Sequence, residues 1–390
     1  MPPREETALA LDGRPPLLSR ALVLRFVTVV GALGSLFLLM SVVPLRATTS
    51  GGQDAAGLTT GALMLATVVG ELTAPRLVTR YGHRLPLAAG LVLLGVPALL
   101  LTVSDDLTWT VVICLLRGLG FALTIVAGGT LTAALIPPER RAEGLGLVGV
   151  VSGVPSLIGL PLGVWLADKA GYETVFVLAA LVALAALLAV PGLPDGRDLP
   201  GPTIGVAAGF RTGSLVRPAV VLATTALGSG IAVTFLPLAV PDNLGGVIAT
   251  ALFVHPAAAT VARWLAGRHG DRYGSAGLVV PALLASAAGM LLTALTNDAV
   301  AVVTGVVLFS AGFGIAQNAT LALMYARVTA SGYGTVTALW NFAYDAGMGV
   351  GAVAFGLIAQ RTGYPLAFAL TAVLTLAALL PAFTDRAANG

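Results

Sequence analysis

Long apolar runs, separated by short polar breaks, fill most of this sequence. Each run has at least 18 residues, and a helix of that length reaches across a hydrocarbon core of about 30 Å. Charged residues make up 10% of the chain, against about 25% in soluble domains. The sequence therefore predicts an all-α integral membrane protein with twelve transmembrane helices. The predicted spans are residues 22–45, 56–78, 85–103, 109–136, 145–167, 174–191, 216–240, 244–266, 277–296, 299–325, 335–359 and 365–383.

The two halves of the sequence are related by a repeat with a constant offset of 192 residues. An offset without drift indicates two parallel repeats of equal length. We therefore predict six-helix bundles at 21–191 and 215–384, a cytoplasmic linker at 192–214, and cytoplasmic tails at 1–20 and 385–390. The recurring positions include Arg80-Tyr81-Gly82 with Arg272-Tyr273-Gly274, Gly120-Phe121 with Gly312-Phe313, and Gly171-Tyr172 with Gly363-Tyr364.

The distribution of basic residues predicts the orientation in the membrane. With twelve spans, the tails and alternate loops lie on one side, which carries seventeen arginines. The other side carries only Arg46, Lys169 and Arg361. By the positive-inside rule, both termini are expected in the cytoplasm. We expect the protein to lie in the plasma or inner membrane of the cell, in contact with membrane lipid. No basic patch interleaved with aromatic residues occurs, so no nucleic-acid partner is expected.

A glycine-rich, charged loop follows the eighth run. It reads G-x-x-x-D-R-x-G, with Gly267, Asp271, Arg272 and Gly274 at the defined positions. An ordinary turn between helices also uses Gly and Asp, so the loop alone leaves both interpretations open. Between two membrane helices, however, the pattern resembles the loop signature of the major facilitator superfamily. The resemblance implies two six-helix bundles, and it implies that these four residues act in gating.

The first half contains a second copy of this loop, which departs from the family pattern. Arg80 and Gly82 match it, but Pro75 replaces the leading glycine and Thr79 replaces the aspartate. Without that carboxylate, we expect the usual charge contact with a neighbouring helix end to be missing in the first half. Arg80 and Gly82 are still expected to act in gating, but the charge contact is then expected to depend on Asp271.

The fifth run contains small residues at four-residue spacing. Gly149, Gly153, Pro155 and Gly159 resemble the antiporter signature of the superfamily's exporters, with one residue inserted between the second glycine and the proline. Small residues at this spacing also let membrane helices pack closely in any bundle. Both interpretations place these four residues in a helix interface, and the resemblance implies a role in gating and export.

Ionisable side chains inside the runs are few and costly to insert, about 2.5 to 3.5 kcal/mol each at the helix centre. We expect Asp345, Glu71 and Arg117 to serve in proton coupling. Asp345 lies about ten residues into the eleventh run, at the predicted midplane, whereas Glu71 is expected nearer the cytoplasm. Glu71 can instead form a structural charge pair, because its repeat partner is Arg263. Arg117 resembles the fourth-helix arginine that the family ties to proton coupling.

Uncharged and weakly basic polar side chains form a second group of candidates. In the eleventh run Asn341 and Tyr344 lie on one face, and Gln317, Asn318 and His255 lie inside other runs. We expect these five residues to bind substrate. Interhelical hydrogen bonding is the alternative for the amides, and packing is the alternative for the histidine.

No enzyme motif is present in the sequence. It has no Walker A pattern, no histidine and cysteine spacing typical of a metal site, and no nucleophile beside a base. We therefore expect no cofactor and no metal. The function that the resemblance implies is proton-coupled export of a small amphipathic organic compound, such as a drug or secondary metabolite. Two alternatives are a transporter-like protein that binds a ligand without turnover, and an importer or uniporter of a polar metabolite.

Overall fold

The structure, a computed structural model, describes residues 18–136, 141–195, 213–328 and 333–389. Over these ranges the chain forms helices joined by short turns and contains no β-strand. Twelve apolar spans follow one another, eleven of them long enough to cross a membrane by length and composition, and a shorter one at Arg84–Leu100. The prediction of an all-helical membrane protein with twelve spans is confirmed.

We number the spans in chain order. They are Arg20–Met40 with Val42–Gly51, Gln53–Tyr81, Arg84–Leu100, Leu107–Leu135, Arg141–Ala170, Tyr172–Ala185 with the 3-10 turn Ala186–Gly192, Gly213–Ala239, Gly245–Tyr273, Val279–Thr293, Ala299–Ala326, Tyr333–Thr362, and Tyr364–Ala377 with Leu379–Asn389. The last helix thus continues past residue 384, where the sequence predicted the end of the second bundle.

Local sequence explains where several spans begin and end. Asp106 and Asp298 cap the fourth and tenth spans, their carboxylates accepting hydrogen bonds from the first-turn amides. Gly82 and Gly274 end the second and eighth spans with φ of 79° and 83°, a region that glycine enters at little cost. Each of these pairs is separated by 192 residues. The repeat therefore governs local backbone conformation as well as sequence.

Repeat-equivalent residues also meet in space. Ser41 Oγ donates a hydrogen bond of 2.7 Å to the carbonyl oxygen of Val233, its partner at the 192-residue offset. Nearby, the hydroxyls of Thr60 and Thr234 lie 3.0 Å apart. A residue can contact its own repeat partner only close to the axis that relates the two copies. This contact therefore lies at the pseudo-twofold axis between the two halves.

The halves pack tightly toward one face of the molecule. We call the face that carries the loops after the second and eighth spans the basic face, and the other the opposite face. Toward the opposite face, Gly57 lies against the backbone of Ala352, and a Cβ on Gly349 would lie 2.8 Å from that of Met64. Toward the basic face, a Cβ on Gly149 would meet no atom within 4 Å. Close packing of the two halves is thus concentrated at the opposite face.

The predicted linker at 192–214 can be tested by cutting the chain. Residues 196–212 lie outside the described part, whereas Asp195 accepts a hydrogen bond from the amide of Arg84 at 3.3 Å. A cut placed after residue 195 leaves the contacts between the halves intact. We expect the two fragments, co-expressed with different affinity tags, to purify together. Recovery of each fragment alone would contradict the prediction, and a cut after Gly149, inside a span, is the control that should prevent assembly.

Candidate transport site

A cavity of about 390 Å³ lies between the two halves. Eight spans contribute to it, and most of its wall is apolar, which suits an organic ligand that is itself largely apolar. The apolar lining includes Leu33, Leu36, Phe37, Met40, Met64, Phe121, Ile125, Leu160, Val233, Phe313, Trp340 and Met348. The polar lining includes Glu71, Ser152, Ser156, Ser229, His255, Thr260, Arg263, Gln317, Asn341, Tyr344 and Asp345.

Two carboxylates meet in this cavity. Glu71 of the second span and Asp345 of the eleventh are in direct side-chain contact, although they are far apart in sequence. Counted from the basic end of each helix, Glu71 lies ten residues in and Asp345 twelve, or roughly 15 and 18 Å. Glu71 therefore lies nearer the basic face, as expected, but by only about 3 Å, because the second span continues to Tyr81 instead of ending at residue 78. The pair joins one half of the molecule to the other.

The surroundings of the carboxylate pair leave it poorly compensated. Asp345 is 7% exposed, and Glu71 Oε1 is buried without a hydrogen-bond partner among the described residues. Arg263, the repeat partner of Glu71, donates to Gln317 Oε1 at 3.4 Å. The structure therefore pairs Glu71 with Asp345, not with Arg263 as the repeat suggested. Burying a polar oxygen without a partner costs free energy, so this arrangement needs a functional explanation.

An aromatic wall flanks Asp345. Tyr344 stacks on Trp340 with ring centroids 5.8 Å apart, and its ring lies 5.9 Å from that of Phe313. Trp340 Nε1 in turn reaches Thr320 Oγ1 at 3.4 Å. Two of the predicted substrate-binding residues in the eleventh span, Asn341 and Tyr344, therefore line the cavity beside flat apolar surfaces.

His255 also lines the cavity, but its ring nitrogens are occupied by hydroxyl groups. Ser310 Oγ lies 2.7 Å from Nδ1 and donates its own hydrogen to the carbonyl oxygen of Val306 at 2.5 Å. Nδ1 must therefore carry a hydrogen, and Nε2 faces Ser229 Oγ at 3.0 Å. The ring also stacks on Phe309 at 6.0 Å. This histidine ties the eighth span to the seventh and tenth, as the packing alternative predicted.

Arg117 lies outside the cavity lining. Its guanidinium donates to the carbonyl oxygens of Leu94 at 3.2 Å and Ser35 at 2.9 Å, in the third and first spans. The side chain is 2% exposed. Arg117 thus bridges three helices of the first half, and no carboxylate pairs with it in the described part of the chain. The structure places the predicted proton-coupling residues in two separate environments.

The glycines of the fifth span divide into two groups. Gly149 and Gly153 line the cavity, and the nearest atom to a Cβ on Gly153 would be Thr260 Oγ1 at 4.0 Å. Gly159, beyond Pro155, packs against the first span, where a Cβ would lie 3.0 Å from that of Phe37. Only the end of the motif therefore lies in a close helix interface, and that interface is within the first half.

Two further candidates meet at the tenth and eighth spans. A Cβ on Gly267 would lie 3.3 Å from Asn318 Nδ2. Asn318 thus faces the eighth span, whereas its neighbour Gln317 faces the cavity. Of the two neighbouring amides of the tenth span, the structure brings only Gln317 to the cavity.

The loop between the second and third spans contains a carboxylate that the motif did not identify. Asp195, beyond the sixth span, lies against Gly82 and accepts a hydrogen bond from the amide of Arg84. His83 lies beside them, 3.2 Å from Thr130 Oγ1, and burial lowers its pKa from the ordinary value. Asp195 therefore makes a charge contact with a helix start in the half where Thr79 has no carboxylate.

The arginines of the two loop copies lie at the basic face. The guanidinium of Arg80 lies over the ring of Tyr81 at 5.2 Å. Arg272 is in the last turn of the eighth span, before Gly274. The side chain of Asp271 lies outside the described part of the structure. The gating roles of these residues stay predictions.

Comparison with known proteins decides the family. The family model of the Major Facilitator Superfamily matches residues 25–352 and, in a second match, 219–389. The chain belongs to this superfamily. Solved superfamily structures share its fold: the nucleoside transporter NupG, in a mutant form, has a TM-score of 0.73 at 12% identity over 95% of this chain and all of that one. The xylose transporter XylE from E. coli has a TM-score of 0.72 at 14% identity, and the match covers 93% of this chain and 97% of that one.

The curated relatives in the superfamily are longer than this chain, which matches only part of each of them. An uncharacterized MFS-type transporter of Mycobacterium tuberculosis is 26% identical over 363 residues, 90% of this chain and 48% of its own length. The Multidrug transporter protein MdtP of Bacillus subtilis is 25% identical over 37% of this chain and 27% of its own length. The Tetracenomycin C resistance and export protein of Streptomyces glaucescens is 32% identical over 33% of this chain and 24% of its own length. The chain spans less than half the length of these relatives.

Proposed function

We propose that this superfamily transporter is a proton-coupled exporter of small amphipathic organic compounds, with the basic face in the cytoplasm. The observation that carries the proposal is the contact between Glu71 and Asp345 inside the cavity. A transporter of this fold exposes its central site alternately to the two faces as the halves rock against each other. A titratable pair that joins the halves is placed to couple protonation to that motion.

Electrostatics gives the coupling its physical basis. Two unit charges about 4 Å apart repel by roughly 4 kcal/mol at an effective dielectric constant of 20. The carboxylates therefore stay in contact when one proton is shared between them, and repel each other when the proton leaves. Loss of the proton separates the second and eleventh spans, which favours a different arrangement of the halves. Proton uptake on one face and release on the other can then drive a cycle.

The lining of the cavity supports an amphipathic organic substrate. Apolar and aromatic side chains dominate it, and Trp340 and Tyr344 present stacked rings beside Asp345. Flat aromatic compounds can stack on such rings, and a cationic group on the compound is attracted to the rings and to an ionised carboxylate. Export is supported by the Tetracenomycin C resistance and export protein among the relatives, and an organic substrate is supported by that protein and by the Multidrug transporter protein MdtP. If a proton and a cationic compound compete for the same carboxylate pair, binding of one requires release of the other. The protein then exchanges protons for the compound across the membrane.

Transport measurements in proteoliposomes test this proposal. We expect a panel of amphipathic aromatic cationic dyes to be moved against their gradient when a pH gradient is imposed, and the movement to stop when an ionophore collapses it. Liposomes without protein are the control. Downhill dye movement that ignores the pH gradient would indicate a uniporter and overturn proton coupling. Dye binding without any movement would favour the ligand-binding alternative.

A further inference from the structure

A second cavity, of about 460 Å³, lies at the basic face of the second half. It is formed by the ends of the seventh, ninth, tenth and twelfth spans, away from the carboxylate pair. Its walls are mostly apolar, and among the described residues its charged groups are two arginines and one aspartate. The lining residues are Arg217, Pro218, Val221, Ala276, Gly277, Val279, Thr320, Leu323, Ala326, Arg327, Pro381, Ala382 and Asp385.

The charges in this cavity do not cancel. Arg327 and Asp385 form a two-point ion pair, with Nη1 to Oδ1 at 3.0 Å and Nη2 to Oδ2 at 2.5 Å. Arg217 Nη1 reaches only the carbonyl oxygen of Thr384, at 3.5 Å. Within the described part of the chain no carboxylate pairs with Arg217. Counted over the described residues, the cavity therefore has one positive charge without a negative partner.

Comparison of the two repeats shows that Arg217 is less enclosed than its equivalent in the first half. Its partner at the 192-residue offset is Arg25, a residue that is 6% exposed. Arg25 Nε donates to the carbonyl oxygen of Gly128 at 3.0 Å and to Thr132 Oγ1 at 3.1 Å, and Nη1 donates to Thr28 Oγ1 at 2.8 Å. In the first half, this arginine is fully enclosed between the first and fourth spans.

None of these three partners recurs in the second half. The positions of Gly128, Thr132 and Thr28 are taken by Thr320, Met324 and Val220. A Cβ at Gly128 would overlap the guanidinium of Arg25, so a threonine there excludes an arginine from the enclosed site. Met324 and Val220 offer no hydroxyl oxygen. The sequence of the second half thus keeps the arginine, removes its internal partners and leaves a cavity beside it.

We propose that this cavity binds the phosphate group of an anionic phospholipid from the leaflet at the basic face. Arg217 is four residues from the start of the seventh span, roughly 6 Å inside its end, which is the depth of lipid headgroups. A guanidinium binds phosphate with two parallel hydrogen bonds. The apolar wall formed by Val221, Val279 and Leu323 accommodates the first carbons of an acyl chain.

The position of the site indicates what the lipid does. It contacts the seventh and tenth spans, which also contribute Ser229 and Gln317 to the central cavity. Thr320 lines the second cavity and accepts a hydrogen bond from Trp340 Nε1 of the central one. A bound phospholipid therefore stabilises the ends of spans that move during transport, and this role does not depend on the coupling ion or the substrate.

Lipid titration of the whole protein in nanodiscs tests the proposal. We expect phosphatidylglycerol to bind the protein in phosphatidylcholine nanodiscs and to raise its thermal midpoint, and Arg217→Gln to weaken that binding roughly fivefold to tenfold. Arg268→Gln, which removes an exposed arginine at the same face outside the cavity, is the matched control and should change little. Ala326→Trp fills the cavity with Arg217 kept, and should give the same loss if Arg217→Gln does not fold.

Three results would overturn the assignment. Equal phosphatidylglycerol binding by the Arg217→Gln and Ala326→Trp variants would show that the lipid acts elsewhere. An equal loss with Arg268→Gln would show a general effect of charge at the basic face. Stabilisation of the wild-type protein by inorganic phosphate in phosphatidylcholine nanodiscs, to the same extent as by phosphatidylglycerol, would assign the site to a free anion.

Discussion

Asp345→Asn is expected to reduce transport driven by a pH gradient to the level of liposomes without protein. The amide has nearly the same volume and keeps hydrogen bonding to Glu71, but it cannot exchange a proton in this pH range. With one carboxylate left, no repulsion between like charges develops when Glu71 loses its proton, so deprotonation no longer drives the second and eleventh spans apart. We expect substrate binding, and exchange of labelled for unlabelled substrate without a gradient, to persist. Parallel flux measurements with and without the gradient separate these two activities.

Glu71→Gln should give the same phenotype if the two carboxylates act as one unit. Effects of residues that act together are strongly non-additive, so the double variant should be no worse than either single one. Asp168→Asn, at an exposed carboxylate 70% accessible to solvent, is the matched control and should transport normally. Full pH-driven transport by Asp345→Asn would exclude Asp345, and survival of both single variants would exclude the pair.

The sequence predicted the parts of this structure that depend on local patterns. Span number follows from apolar run length, and the capping aspartates and positive-φ glycines lie at equivalent positions of the two halves. Gly82 and Gly274 illustrate this, because a turn that needs a backbone conformation with positive φ is indicated by a glycine at that position. Repeat partners also meet at the axis between the halves, as Ser41 and Val233 do.

The carboxylate pair could not be predicted in the same way. Glu71 and Asp345 belong to different halves and are not repeat partners, so neither spacing nor offset connects them. Their contact depends on how closely the second and eleventh spans pack, which is set by glycines a few turns away. The depth of Glu71 was underestimated, because the second span ends three residues later than predicted, which places this side chain roughly 5 Å deeper.

Buried arginines show the same limit. The motif containing Arg117 predicted a residue in proton coupling, but its guanidinium donates to backbone carbonyls of neighbouring helices and lies outside the central cavity. Which way an arginine points around a helix depends on where its neighbours leave unsatisfied carbonyl oxygens. Arg25 is buried and Arg217 lines a cavity, and the difference depends on which hydrogen-bond partners the neighbouring helix offers. Those partners lie about a hundred residues or more away in sequence.

Gly57→Val is expected to abolish transport by preventing closure at the opposite face, while leaving the protein inserted in the membrane. Gly57 lies against the carbonyl group of Ala352, and a Cβ on it would lie 3.0 Å from that carbonyl carbon. The backbone of the eleventh span cannot move aside as a flexible side chain could. Overpacking of this kind costs about 1 to 3 kcal/mol, and it applies only to the state in which the two spans touch.

A cost confined to one state changes its population. At about 1.4 kcal/mol for each factor of ten, the closed arrangement should lose roughly fivefold to a hundredfold of its population relative to the alternative. A cysteine introduced at Ser156, which lines the central cavity, can report this change, because the one native cysteine, Cys114, is buried. Its reaction with a membrane-impermeant maleimide should become faster from the opposite face and slower from the basic face.

Gly246→Val is the matched control for this experiment. Gly246 lies near the same face in the eighth span, and a Cβ there would meet no atom within 4 Å. It should therefore leave both the labelling pattern and transport unchanged. Unaltered accessibility of the cysteine at position 156 in Gly57→Val would mean that the second and eleventh spans do not form the closure at the opposite face. Because the variant retains Glu71 and Asp345, a loss of transport accompanied by the altered labelling would assign the defect to the motion of the halves and not to proton binding.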